Sequence, residues 1–467
     1  MPAPPKRPAR LPVLLPFLIV AVIAAGAIVA AALARNADPP AGPCRSGAAN
    51  ATAASRWAAF YERAVRADRA RLADLRRRGA PASTQRAVAR QLRADAAAAR
   101  RAGRGRLDIG CGRAARVPEP IGPAPAAARG RAIPVVGLTA NSQGVGPDLG
   151  AQQDRAVVAG AGWLREEFAW STIQPREGAF AWRHYDRVLT AAARRGLRVL
   201  PVLTDVPGWA GPAQFAIPED PSAYAAYVAR VTARYGPNGS FWRAHPRLDS
   251  SLAPTYFEIW NEPYYTFFSD GQVDPARYAR LFAAAATAGR AANPAAKFIL
   301  AAEANVQPTA GPFAGVSVDW MQAMTAAVPN LPSLVDAVSA HPYSGSAPPD
   351  VPLDGAPDGK FLRVGTIRRA ALAAGIDKPI WITEIGWSTC ASNPSYCVSE
   401  RDQSRNLGTM FSLVRTKLPY VEAVLVYHLD DLHPTNPSDK EPSFGLTRQG
   451  GAPKPAWNQF RAATAGG

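Results

Sequence analysis

From Ile133 onward, short continuous apolar runs alternate with stretches whose apolar positions recur every three to four residues. The runs predict strands at Ile133–Leu138, Gly162–Phe168, Leu197–Leu203, Thr255–Ile259, Phe298–Ala302, Ala337–Ala340, Pro379–Thr383 and Val421–Tyr427. Helical spacing predicts Ala151–Ala161, Trp182–Arg195, Pro221–Tyr235, Asp274–Ala292, Trp320–Val328, Lys360–Ala374, Arg401–Leu418 and Pro455–Ala462. Strands that are apolar on both faces belong to a parallel sheet covered on both sides. The alternation, with no glycine-rich phosphate turn after the first strand, predicts an α/β protein with a (β/α)8 TIM barrel over residues 132–467.

The preceding segments read differently. Leu11–Ala34 is an unbroken run of apolar residues and prolines behind a basic flank, residues 1–10, that carries Lys6, Arg7 and Arg10. Its length suits a retained transmembrane signal anchor, and the small residues Ala32-Leu33-Ala34 suit a cleaved signal peptide. Either reading places the rest of the chain outside, attached to the cell membrane by one span or secreted. Residues 35–112 hold an Arg/Ala-rich helical hairpin broken at Gly79-Ala80-Pro81, and residues 113–131 read as a linker. Contact with anionic lipid or acidic polymer fits the hairpin, and so does a solvated spacer.

Charge separates these regions. The chain is +17 overall, but residues 1–116 hold 22 Lys/Arg against 6 Asp/Glu and the remainder holds 31 against 30. The barrel is therefore close to neutral, which removes the basis for a nucleic-acid partner. The four cysteines fit an oxidising compartment, with Cys44–Cys111 and Cys390–Cys397 the simplest of three pairings and metal binding the alternative.

Polar residues just past the C-terminal ends of barrel strands carry the chemistry of such folds. Strand four runs into Trp260-Asn261-Glu262-Pro263 and strand seven into Thr383-Glu384-Ile385-Gly386-Trp387. A rim ion pair is the alternative reading of either glutamate taken alone. Two, on strands that face each other across the barrel mouth, suit the paired carboxyl groups of glycoside hydrolysis, one protonated and one nucleophilic.

On these residues the chain resembles glycoside hydrolase clan A, especially families 39 and 5, over roughly Ile133–Phe460. The resemblance implies Glu262 as acid/base, Glu384 as nucleophile and Asn261 as a hydrogen-bond partner of the sugar 2-hydroxyl. It implies that Arg165 and Tyr343, the latter from His341-Pro342-Tyr343, support the nucleophile. The stretch Phe168–Gly178 is similar to the segment after strand two in that clan. Strand eight departs from the pattern, offering Tyr427, His428 and Asp430 where many members have a tryptophan platform.

Trp170, Trp209, Tyr264, Tyr265 and Trp387 also fall in strand-end loops, and at least two are expected to contact an oligo- or polysaccharide. Asp148, Asp205, Asp319 and Asp354 are scattered, so no cofactor or metal is expected. The expected activity is retaining hydrolysis of a β-glycosidic bond by a monomeric catalytic domain. A surface carbohydrate-binding protein without activity, or a transglycosylase, are the alternatives.

Overall fold

The structure, a computed structural model, describes residues 62, 65, 66, 68–103, 131–140, 142, 149–352, 360–391, 393–432 and 439–465. Eight parallel strands close into a barrel in sequence order. They are β1 (Val135–Thr139), β2 (Trp163–Ala169), β3 (Arg198–Thr204), β4 (Tyr256–Ile259), β5 (Lys297–Ala301), β6 (Ala337–Ala340), β7 (Ile380–Ile385) and β8 (Val421–Val426). The helices that follow them are α1 (Leu149–Ala159), α2 (Arg183–Ala193), α3 (Ser222–Tyr235), α4 (Pro275–Ala292), α5 (Trp320–Ala327), α6 (Val364–Ala373), α7 (Glu400–Lys417) and α8 (Pro455–Ala465). The predicted strands and helices are all present, with ends shifted by a few residues. Closure is made by β1 on β8, with Val135 opposite Ala423 and Leu138 opposite Val426.

Strand alternation sorts the side chains into two sets. Leu164, Phe168, Leu203, Phe257, Leu300, Val338 and Ile382 face outward and form the main core beneath the helices. Val135, Leu200, Ile299, Ala337, Trp381, Ala423 and Leu425 face inward and plug the lower barrel, with Trp163 and Tyr256 against them. Two residues further along several of these strands, the inward positions turn polar. Trp163 gives way to Arg165, Tyr256 to Glu258 and Trp381 to Thr383.

The hairpin does not stand off as a spacer. Its helices, 68–77 and Ala82–Gly103, bury Leu72, Leu75 and Val88 in the same core as the barrel's outer face. Arg71 donates to the carbonyl of Ala161 at 2.6 Å, and Arg78 pairs with Asp249 at 2.5 Å. Both acceptors precede strands, so the first hairpin helix reaches the N-terminal end of the barrel, while Ala82–Gly103 packs along the flank of α1. Leu11–Ala34, Cys44, Cys111 and the predicted linker residues 113–130 lie outside the described residues. Among the described residues no helix is long and apolar enough to cross a membrane.

Candidate active site

Glu384 reaches the barrel mouth through an irregularity in its strand. Along β8 the partners Val424 and Val426 are two residues apart, whereas their partners on β7, Ile382 and Ile385, are three apart. One extra residue in β7 breaks the in–out alternation, so consecutive Thr383 and Glu384 both face the interior. Glu262 arrives by another route. After β4 ends, Trp260 and Glu262 both adopt left-handed backbone, with φ of 68° and 40°. Non-glycine residues hold that conformation at a cost, tolerated where the surroundings fix it.

The two carboxylates are joined to one buried polar network. Arg165 donates from Nη1 to Glu384 Oε1, from Nε to Glu258 Oε2 at 2.7 Å and from Nη2 to Asn261 Oδ1 at 2.8 Å. Tyr343 donates its hydroxyl to Glu384 Oε2 at 3.0 Å. His341 Nδ1 lies 2.9 Å from Glu262 Oε1 and 3.7 Å from Glu384 Oε2. Its Nε2 is 2.9 Å from Thr383 Oγ1, whose hydroxyl donates to Glu258 Oε1 at 2.8 Å. Arg363, pairing with Glu303 at 3.2 Å, donates to the His341 carbonyl at 2.6 Å and so anchors the imidazole's backbone.

Charge balance sets the protonation of this network. Burial opposes ionisation of Glu258, but Arg165 and His341 outweigh it and bring its carboxyl down to about 2. Burial likewise opposes charging of His341, and the facing Glu384, Glu258 and Glu262 override it, raising the imidazolium to about 10. Cationic His341 donates from both ring nitrogens, which fixes its orientation between Glu262 and Thr383. Burial pushes the Tyr343 hydroxyl well up, with the negative charge of Glu384 next, so it stays a donor.

A cavity of about 90 Å³ opens beside Glu384, with Arg165, Glu167 and Tyr427 in its walls. Glu167 lies two residues beyond Arg165 on the same face of β2. It is exposed to the cleft, and the surrounding protein, then the nearby Asp205, raises its carboxyl above the usual range. His428 is buried and lowered to about 4, and Asp430 is tied to Arg155 at 2.7 Å. The Tyr427–His428 peptide is cis. Cys390 and Cys397 form the predicted disulfide in the loop after β7.

Glu262, Glu384, Asn261, Arg165, His341, Tyr343 and Tyr427, picked out from the sequence, thus come together. Three aromatic expectations need correction. Trp170 is fully buried, stacked on Tyr227, with Nε1 donating to Gln174 at 2.8 Å. Trp387 is buried with Nε1 on the Ala347 carbonyl at 3.0 Å, and Tyr264 packs edge-on to Trp320. None of the three has a free face for a sugar. Trp209 is half-buried and Tyr265 exposed, so their rings retain accessible surface.

Glu258 and Glu167 carry little signal in the sequence because each sits inside or at the edge of an apolar strand. A lone carboxylate within Tyr256-Phe257-Glu258-Ile259 was the available signal. Among the described residues, Glu262, His341 and Glu384 bring potential metal-ligand atoms within 4.8 Å of one another. The Arg165 guanidinium already supplies positive charge to Glu384 beside these atoms.

No protein-family profile matches the chain, and no curated protein matches it. Solved structures match in shape. A family 39 glycoside hydrolase from the gut symbiont Bacteroides cellulosilyticus WH2 superposes with a TM-score of 0.51 at 19% identity, over 71% of this chain and 64% of that one. The chain shares its fold with a family 39 glycoside hydrolase. The match spans a little under two thirds of that protein's length. A monomeric β-xylosidase from Caulobacter crescentus CB15 gives 0.49 at 20% identity, over 70% of this chain and 67% of that one. Xylanase 10B from Thermotoga maritima gives 0.46 at 15%, over 71% and 95%. In barrels of this fold the chemistry sits at the C-terminal strand ends, where Glu262 and Glu384 lie.

Proposed function

We propose that the protein is a retaining glycoside hydrolase acting by double displacement on a β-linked oligo- or polysaccharide, with Glu384 as nucleophile and Glu262 as acid/base. One observation carries this reading: a carboxylate oxygen of Glu262 and one of Glu384 lie within 4.8 Å of each other, with His341 beside both. Retention requires carboxyl groups about 5–5.5 Å apart, whereas inversion needs about 6.5–9.5 Å to seat a water.

Glu384 attacks the anomeric carbon while Glu262 protonates the departing oxygen. Glu262 then takes a proton from water, which cleaves the glycosyl ester and restores both groups. Arg165 and Tyr343 hold the two Glu384 oxygens, so the nucleophile is oriented before substrate arrives. Asn261 accepts from Arg165 through its oxygen, which leaves its amide N–H groups to donate to the sugar. We also infer export from the apolar run Leu11–Ala34, with a substrate outside the cell.

Proton NMR of the first-formed product on a cleaved glycan tests the mechanism. The β-anomer is expected from a β-linked substrate; initial release of the α-anomer contradicts double displacement.

A further inference from the structure

A groove of about 650 Å³ runs between the hairpin helix Ala82–Gly103 and barrel helices α1 and α8. It shares no lining residue with the cavity beside Glu384. Its charged groups are Arg86, Arg90, Arg155 and Asp154. Asp154 is already engaged, accepting from Thr84 and from Arg195 Nε at 2.9 Å.

Arg155 is held in place. Its Nε and Nη2 donate to Asp430 at 2.8 and 2.7 Å, and neither bond uses Nη1. Its stem lies against Gly451, where an added Cβ would sit 3.2 Å from Cδ. Arg86 and Arg90 are exposed, one helical turn apart, and no acid of the groove pairs with them. Like charges four residues apart on a helix weaken it. The groove therefore gathers one fixed guanidinium group and two that have no acidic partner among the described residues.

We propose that this groove binds a segment of an acidic glycan, a chain bearing carboxylate or phosphate groups at intervals. Arginine forks match both anions in a bidentate manner. The volume far exceeds one phosphate, so the groove takes a chain segment rather than a single anion. The concave shape favours a chain over the flat face of a bilayer. This assignment does not depend on the proposed hydrolysis.

Calorimetric titration of the full-length protein tests it. The probes are an oligogalacturonate, a phosphorylated oligosaccharide, neutral dextran, inorganic phosphate and phosphatidylglycerol vesicles. The variants are Arg86→Ala/Arg90→Ala and, on the same helix outside the groove, Arg93→Ala/Arg100→Ala. At least one acidic oligosaccharide should bind, more weakly as salt rises, and the arm that binds tells carboxylate from phosphate. The groove variant should lose about tenfold in affinity, or ~1.4 kcal/mol, with an unchanged circular dichroism spectrum. The control variant should lose less than threefold. Equal loss in both variants, no loss in the groove variant, no acidic oligosaccharide binding, or binding by vesicles alone would each overturn the proposal.

Discussion

Arg165 donates to Glu384 from deep in the barrel, where 2% of the arginine side chain and 11% of the glutamate side chain reach solvent. The same guanidinium holds Glu258 and Asn261, so its removal leaves two enclosed carboxylates with only the His341 imidazolium near both. Breaking a buried ion pair by deleting one partner costs about 3–5 kcal/mol. Arg165→Met should lower unfolding stability by that order and reduce kcat by roughly 10²–10³. Arg165→Lys should recover little, because a point charge cannot serve three acceptors in the plane of a fork. Denaturant unfolding and steady-state kinetics of both variants check this; near wild-type behaviour of Arg165→Lys would show that the fork geometry is unimportant.

Glu166 points the other way from its strand neighbours and lies buried beneath the helices, accepting from the Ser142 amide at 2.7 Å. Burial lifts its carboxyl from an ordinary 4.5 to about 8. A folded value above the unfolded one means that the folded state binds the proton more tightly. The associated stability is complete below about 4.5 and is lost as pH rises through about 8. The melting temperature should therefore fall across that window more steeply in the wild type than in Glu166→Gln. Parallel curves from calorimetry at pH 5, 6, 7 and 8 would contradict this.

Leu75 packs into the core on the barrel's outer face, on the helix whose Arg71 and Arg78 reach loops that precede β2 and β4. Leu75→Ala should destabilise by about 2–5 kcal/mol, as for other buried leucines. Catalysis per folded molecule should stay within twofold. A thermal melt alongside kcat at low temperature separates the two effects, and an unchanged melt would show that the hairpin does not pack there.

Much of this was legible in the sequence for a definite reason. Strands buried on both faces must be apolar throughout, so the barrel announces itself as regularly spaced runs. Glu262 and Glu384 stand out because each breaks off such a run. What stayed hidden depends on three-dimensional direction. Glu258 lies within a strand whose other residues look like core, and only inward alternation sets it under His341. Glu384 faces inward through an extra residue in β7 that no local pattern marks. The aromatic residues erred in the opposite sense: Trp170 and Trp387 share the composition of sugar platforms, yet neighbouring helices and loops cover both rings.

In the proposed double displacement, Glu384 forms a covalent glycosyl ester. Incubation with a panel of activated 2-deoxy-2-fluoro-β-glycosides, followed by peptide mass spectrometry, tests it most directly. Time-dependent inactivation by at least one member is expected, with the fluorosugar attached to Glu384 and no labelling of Glu384→Gln. Labelling at another carboxylate, or turnover of the matching β-glycoside with no covalent adduct, would contradict it.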